Sequence, residues 1–145
     1  MANVNKYSAA QVFVTFAGRT IEGRVEGTFV STKYAKPKAA PPQVGAGGDV
    51  TVSVSLDQTG EITLTLMQNS TGHALLTELA AVDRANSDLA IAPFEIRDLS
   101  GRLVESAEQA WIAEEPETPY AAVAGERTWK LGCAKLVRGV LPAGG

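Results

Sequence analysis

The segment from Gly45 to Arg84 constrains the fold of this chain more than any other part of the sequence. It contains a glycine-rich lead-in, two stretches in which apolar and polar residues alternate, and a stretch with helical spacing. The alternation predicts β-strands at Asp49–Leu56 and Glu61–Leu66, and the Gly-containing connection Asp57–Gly60 predicts a hairpin between them. The chain is therefore expected to be built largely from antiparallel β-structure.

The polar face of this predicted hairpin carries short hydroxyl side chains instead of the Lys, Glu and Arg that usually cover a solvated sheet. These positions are Thr51, Ser53, Ser55, Thr63 and Thr65, with Asp57 and Glu61 beside them. Such a face suggests a smooth polar wall rather than a free surface.

The composition fits one folded domain over residues 1–145 and excludes several functions. A hydrophobic content of 45% with 20% charged residues is ordinary for a folded chain, and the net charge of −3 gives no basic field for nucleic acid. The lone Cys133 excludes an internal disulfide. The N-terminus has no signal-peptide core and no apolar run reaches membrane-spanning length, so a cytosolic protein without membrane insertion is expected.

The remaining elements predict a mostly β, antiparallel sandwich or barrel-like fold with six or seven strands, one flanking helix and a long loop. Besides the hairpin, strands are predicted at Gln11–Phe16, Ile21–Tyr34, Ala92–Arg97, Arg102–Glu115 and Arg127–Val137. The loop spans Tyr34 to Gly48, and residues 138–145 are expected to be a frayed tail.

One amphipathic helix is predicted from Ser70 to Asn86. The segment Asn69–Gly72 offers N-cap residues. The apolar residues Leu75, Leu76, Leu79 and Val82 share one face, which is expected to pack on a sheet or on a neighbouring subunit.

No catalytic constellation is visible, so neither an enzyme nor a cofactor or metal site is expected. The single His73 cannot build a metal site alone, and Cys133 lies in an apolar strand without an activating base. The glycines at 45–48 lack the Lys-Ser/Thr of a phosphate loop. Trp111 and Trp129 are more typical of a core or an interface than of a ligand site.

The charges are segregated along the chain. The long loop region carries Lys33, Lys36 and Lys38 together with Pro41 and Pro42, and no acid lies between Glu26 and Asp49. The segment after Arg102 is acidic, with Glu105, Glu108, Glu114, Glu115 and Glu117. Either both segments are simply solvated, or the basic loop of one copy meets the acidic segment of another.

Several segments, in collinear order, resemble the tail tube proteins of contractile-tailed bacteriophages. They are Val12–Val14 with Ile21–Gly23, Val44–Asp49, Gly60–Ser70, Leu76–Asp83, Ile96–Gly101, Ala110–Ile112 with Pro116, and Trp129–Leu131. The order of the segments carries the resemblance, which covers about Tyr7 to Leu136. His73 and the Pro- and Ala-rich loop depart from the family pattern.

The resemblance implies a β-sandwich-like subunit that forms hexameric rings, which stack into the inner tube of a contractile tail. The tube would conduct DNA during ejection, and its partners would be the tail sheath, baseplate and tail terminator proteins. Such a protein is assembled in the bacterial cytoplasm and belongs to the virion. The long loop would make ring-to-ring contacts, the hydroxyl-bearing hairpin would face the lumen, and the helix would lie between subunits or on the outer wall.

Two alternatives remain open from the sequence. The first is the tube of a phage-derived bacteriocin or secretion device, which shares the architecture but carries no genome. The second, of a different class, is a monomeric β-sandwich that binds a small ligand or glycan through Trp111, Trp129 and the long loop.

Overall fold

A computed structural model describes residues 7–141 of the chain, and the sequence prediction of a mostly β, antiparallel fold with one helix is confirmed. Within these residues the strands are β1 (Val12–Phe16), β2 (Arg19–Thr20), β3 (Val30–Tyr34), β4 (Gln43–Val44), β5 (Val50–Thr51), β6 (Gly60–Met67), β7 (Ala92–Asp98), β8 (Leu103–Glu114), β9 (Glu126–Cys133) and β10 (Val137–Val140). The helix α1 spans Thr71–Ala85, and a 3-10 turn at Ala9–Gln11 precedes β1.

The main sheet has the strand order β2-β1-β7-β8-β9-β6-β3, and β10 pairs with β8 beside this path. Its inner face forms the core. The central strands β6 and β9 place Ile62 opposite Leu131 and Leu64 opposite Trp129, and all four side chains are buried. The alternation of buried and exposed residues along β6 and β9 is what an antiparallel sheet with one covered face requires.

Side chains, not a backbone ladder, join the β3 edge to β8 and β10. The Tyr34 hydroxyl donates to the carbonyl of Leu136 at 2.7 Å. Arg138 donates to the carboxylate of Glu105 at 2.6 Å and to the carbonyl of Thr32 at 3.0 Å. These bonds link β3 to β8 and to residues 136–138, although β9 and β6 lie between β8 and β3 in the sheet.

The predicted strand Ile21–Tyr34 is wrong over its first part, because only Val30–Tyr34 forms strand β3. Gly23 has a φ of +100°, and a Cβ atom there would lie 1.9 Å from the Cβ of Ser70. The segment 21–29 therefore crosses irregularly from β1 to β6, making an isolated bridge between Arg24 and Leu66.

The helix lies where the sequence predicts it, with one error in its buried face. The hydroxyl of Ser70 caps the N-terminus by accepting from the amide of His73 at 3.1 Å. Leu76 is fully buried, and Leu75 and Leu79 pack against the core. Val82 is 56% exposed, because the buried stripe runs through Gly72, Leu76 and Ala80, and Val82 lies about 200° around the axis from Ala80.

The last predicted strand, Arg127–Val137, is two strands. Cys133 ends β9, and buried Leu136 precedes β10, where Arg138 pairs with Glu105 of β8. The prediction of a frayed tail from residue 138 is therefore wrong for residues 138–140. Residues 142–145 lie outside the described residues.

Candidate assembly surfaces

The strands β3 and β6 belong to one long hairpin, and its distal part, residues 35–59, is here called the arm. The amide of Ala35 donates to the carbonyl of Thr59 at 2.9 Å, and the amide of Ala40 donates to the carbonyl of Ser53 at 2.9 Å. Farther out, β4 pairs with β5, and the chain reverses between Gly45 and Asp49. The arm is a self-paired extension of the sheet edge.

The predicted hairpin between Asp49–Leu56 and Glu61–Leu66 is therefore wrong. The first stretch pairs back with residues 38–44, and β6 pairs with β3 and β9. The reversal lies at the glycines of residues 45–48, where Gly48 has a φ of +89°. The long loop Tyr34–Gly48 is the outgoing half of the arm.

The apolar residues of the arm face solvent. Val44 is 68% exposed, Val50 60%, Val52 50%, Val54 65% and Leu56 92%. These are the alternating residues that resemble a core-facing strand in the sequence. A self-paired arm with an uncovered apolar face is a hazard for a monomer and marks an interaction surface.

The predicted ring-stacking residues lie along the arm and its base. Lys33 in β3 forms an ion pair with Glu61 at 3.3 Å, and Lys36 pairs with Asp57 at 3.7 Å. The hydroxyl and amide of Thr59, with Lys36, lower the pKa of Asp57. Lys38 has no ion pair within residues 7–141.

Pro41 and Pro42 interrupt the ladder within the arm. They lie between the bridge of Ala39 with Val54 and the pairing of Gln43 with Thr51. A proline has no N–H to donate to a ladder, so two in succession leave this part of the arm unpaired and allow its register to shift by one residue.

The outer face of the central sheet forms a second surface, here called the wall. Thr63 lies between Ser31 and Lys130, and Thr65 lies opposite Thr128. Glu61 and Lys33 continue this face, and Lys130 pairs with Glu114 at 3.7 Å. The wall thus combines hydroxyls with two lysines and three glutamates, because Glu126 shares the outer face of β9 with Thr128 and Lys130, so the wall has no excess of positive charge.

The structure divides the predicted lumen-facing residues into two groups. Glu61, Thr63 and Thr65 lie on the wall, whereas Thr51, Ser53, Ser55 and Asp57 belong to the arm. The prediction that both groups share one hairpin face is wrong, because the two stretches do not pair with each other. Trp111 lies on the wall, directly over Gly132 of β9, where a Cβ atom would come within 2.8 Å of the indole nitrogen.

Three of the five predicted acidic contact residues are engaged within the chain. Glu105 accepts from Thr32 Oγ1 at 2.6 Å and from Arg138. Glu114 pairs with Lys130, and Glu115 accepts from Nε of Arg84 at 2.7 Å. Glu108 and Glu117 are exposed and have no ion pair among residues 7–141.

A buried arginine that the sequence reading missed lies at the opposite end of β6 from the arm. Arg127 is 1% exposed and donates from Nη2 to the carbonyl of Pro119 at 2.6 Å and from Nη1 to that of Glu126 at 3.0 Å. Among residues 7–141 its Nε has no hydrogen-bond partner, and its guanidinium lies 5.5 Å from the centre of the Tyr120 ring. The period-two pattern of β9 indicates that Arg127 is buried, because it places Arg127 on the inner face with Trp129, Leu131 and Cys133.

Arg127 anchors residues 115–125, here called the distal loop. Gln68 holds the end of this loop through two hydrogen bonds to Gly125. The backbone N–H of Gln68 donates to the carbonyl of Gly125 at 2.9 Å, and the side-chain Oε1 of Gln68 accepts from the backbone N–H of Gly125 at 3.1 Å. Tyr120 and Val123 are 80% and 79% exposed. The distal loop therefore exposes apolar side chains, and hydrogen bonds from Arg127 and Gln68 hold it to the sheet.

The candidates for chemistry have structural roles. His73 Nδ1 accepts from Trp129 Nε1 at 3.0 Å, and burial, reinforced by Arg127, lowers the pKa of His73. Trp129 is 1% exposed and offers no ligand platform. Burial raises the pKa of the Cys133 thiol.

Residues 7–141 contain no cluster of three His, Cys, Asp or Glu side chains suited to a metal ion. Within the same residues no helix is long and apolar enough to cross a membrane.

Neither a protein-family model nor a curated protein matches the sequence. Solved structures do share the fold. A chain from the tube-terminating cap of the anti-feeding prophage has a TM-score of 0.62 and 10% identity, covering 97% of this chain and 95% of that one. A chain from the sheath/tube terminator of the extracellular contractile injection system PVC, in the extended state, has a TM-score of 0.62 and 12% identity, covering 96% and 100%.

A third chain comes from the PVC sheath–tube complex in the extended state. Its TM-score is 0.63 at 11% identity, and the match covers 94% of this chain and 93% of that one. At such identities the likeness shows the fold alone. The chain therefore has a fold that occurs in components of contractile injection systems.

Proposed function

We propose that this chain is a structural subunit that self-assembles into hexameric rings, which stack into the inner tube of a contractile phage tail. The observation that carries the proposal is the arm, whose five apolar side chains are each at least half exposed. Such a surface needs a partner, and a repeating contact between copies of one chain supplies it along a filament. The shared fold and the collinear resemblance to tail tube proteins support the same function.

The wall is the proposed lumen surface, and its chemistry suits a conduit. Proteins hold DNA chiefly through cationic contacts to phosphates. The wall offers hydroxyls from Ser31, Thr63, Thr65 and Thr128, and Glu61 and Glu114 pair with its lysines. DNA can slide past such a surface without being retained. The sheath, baseplate and tail terminator are the proposed partners, and the tail of a particle assembled in the bacterial cytoplasm is the proposed location.

A second candidate is a terminator that caps the tube of such a particle. It is favoured by the anti-feeding prophage cap and the PVC sheath/tube terminator, whose chains share this fold. A tube subunit binds copies of itself on both sides, whereas a terminator receives a ring on one side only. A tube of a particle without a genome would share the architecture of the first candidate.

Replacing the arm tests the proposal. Ala35 and Thr59 are hydrogen-bonded at 2.9 Å, so residues 36–58 can be replaced by a two-residue Asn-Gly turn. We expect the shortened protein to keep its cooperative unfolding and to form no rings or tubes in electron micrographs. A matched control, Gly27→Ala, changes a residue with open space around it and should assemble like the parent. Assembly of the shortened protein into normal tubes would contradict the role of the arm.

A further inference from the structure

The arm and the distal loop lie at opposite ends of the same strand. The arm joins the sheet at Gly60, the first residue of β6, whereas Glu126, which follows the distal loop, pairs with Met67, the last residue of β6. Seven residue steps along a strand span roughly 23 Å. Within one copy the two surfaces are thus separated by the length of β6.

The two surfaces match in polarity. Val52, Val54 and Leu56 give the arm an exposed apolar row, and Tyr120 and Val123 give the distal loop an exposed apolar tip. Neither the apolar row of the arm nor the apolar tip of the distal loop is covered by other residues within 7–141.

Lys38 of the arm and Glu117 of the distal loop match in charge. The outgoing half of the arm, residues 35–48, has Lys36 and Lys38 and no acid, and Lys36 is paired with Asp57 of the returning half, so Lys38 is the lysine left without an ion pair among residues 7–141. The distal loop has Glu115 and Glu117 and no base, and Glu117 has no ion pair among residues 7–141. Opposite charges beside complementary apolar groups fix the register of a contact and disfavour wrong partners.

We propose that the distal loop is the acceptor for the arm of a second copy of this chain, an assignment that rests on the proposed self-assembly. The contact joins two different surfaces, so a pair of copies keeps one unused loop on the first copy and one unused arm on the second. Such a head-to-tail contact does not close on itself and continues from ring to ring. The arm supplies Val54, which lies opposite Ala39 on one face, and Lys38, which lies opposite Ser55 on the other face. The loop supplies Glu117, Tyr120 and Val123.

Cross-linking between two single-cysteine variants tests this contact directly. Val54→Cys and Val123→Cys proteins are mixed and treated with a short bismaleimide. Native Cys133 is buried, so cross-linking of the parent protein gives the background rate. We expect the mixed dimer to form roughly tenfold faster than in a mixture of Val54→Cys with Thr20→Cys, because a formed contact raises the local concentration of the two thiols. Thr20 is exposed on β2, outside both surfaces.

The other outcomes overturn the assignment. Preferential Val54→Cys homodimers would show that arms pair with arms. A mixed rate equal to that of the Thr20→Cys control would show that the distal loop is not the acceptor.

Charge reversal separates failure of this assignment from failure of the proposed function. Lys38→Glu and Glu117→Lys are each expected to reduce assembly, and the double variant is expected to recover it. If the parent protein forms rings or tubes and both single variants assemble equally well, the acceptor lies elsewhere and the proposed function stands. If the parent forms no assembly and the cross-linking stays at background, the proposed function itself fails.

Discussion

The Nδ1 atom of His73 accepts a hydrogen bond from Nε1 of Trp129 at 3.0 Å, which ties the first turn of α1 to the middle of β9. The ring centres are 5.7 Å apart. Nδ1 can accept this bond only while the imidazole is neutral. Burial and the Arg127 guanidinium lower the pKa of His73, and the positive end of the helix dipole also opposes a proton there.

The free energy of unfolding is expected to fall as the pH drops below about 6.5, the ordinary pKa of histidine. Because the folded state lowers the pKa of His73, the unfolded chain binds the proton first, so stability is complete above that pH and is lost on acidification. Thermal unfolding between pH 8 and pH 5 measures this effect. His73 is the single histidine of the chain, so His73→Gln should flatten the profile in this window. An equal pH dependence in that variant would assign the effect to other groups.

Glu105 is expected to stabilise the subunit itself. Glu105→Ala removes the acceptor of Thr32 and Arg138 and should lower the free energy of unfolding by about 1–2 kcal/mol. Glu108→Ala is the matched control on the same strand and should change it by less than about 0.5 kcal/mol. Urea titration of the two variants measures the difference. Equal effects would mean that the contact between β3 and β8 contributes nothing to stability.

Gly72→Ala is expected to destabilise the protein although alanine is the better helix former. A Cβ atom at Gly72 would lie 2.2 Å from the carbonyl oxygen of Glu22 and 3.0 Å from a methyl group of Ile21. Helix propensity favours alanine by about 1 kcal/mol, whereas separating α1 from this backbone costs more, so a net loss of about 2 kcal/mol is expected. The change in melting temperature shows whether Gly72→Ala stabilises or destabilises the protein. A stabilised variant would show that α1 and residues 21–22 are not in such close contact.

Arg127 is expected to hold the distal loop more than to stabilise the core. Arg127→Met keeps the volume but removes the bond to Pro119, so amide hydrogen exchange in residues 116–125 should become faster while the melting temperature changes little. Lys130→Met, on the opposite face of the same strand, is the control. Unchanged exchange in the loop would contradict the anchoring role.

The sequence predicted where the strands and the helix lie better than it predicted which strands pair with each other. Alternation identified β6, and the N-cap candidates at Asn69–Gly72 located the start of α1, where the structure has Ser70 as the cap, because both signals are local. The partner of a strand depends on contacts distant in sequence, and the connection Asp57–Gly60 resembles a hairpin turn although the chain does not reverse there. In the structure the Asp57 carboxylate accepts from the amide and the hydroxyl of Thr59, and the chain continues into β6.

The candidate surfaces show the same limit. The alternating valines of residues 50–54 have the pattern of a buried face, and only the structure shows that nothing in the described part of the chain covers them. The lysines of the arm were predicted as a contact surface. The pairing of Glu105 with Arg138 depends on the approach of β10 to β8, which the sequence does not encode locally.

Electron microscopy of the concentrated full-length protein, alone and with purified baseplates of a contractile tail, shows directly whether the protein assembles into a tube. We expect hollow rings of six subunits that stack into tubes. A protein that remains monomeric in both preparations, with its arm exposed, would contradict this expectation.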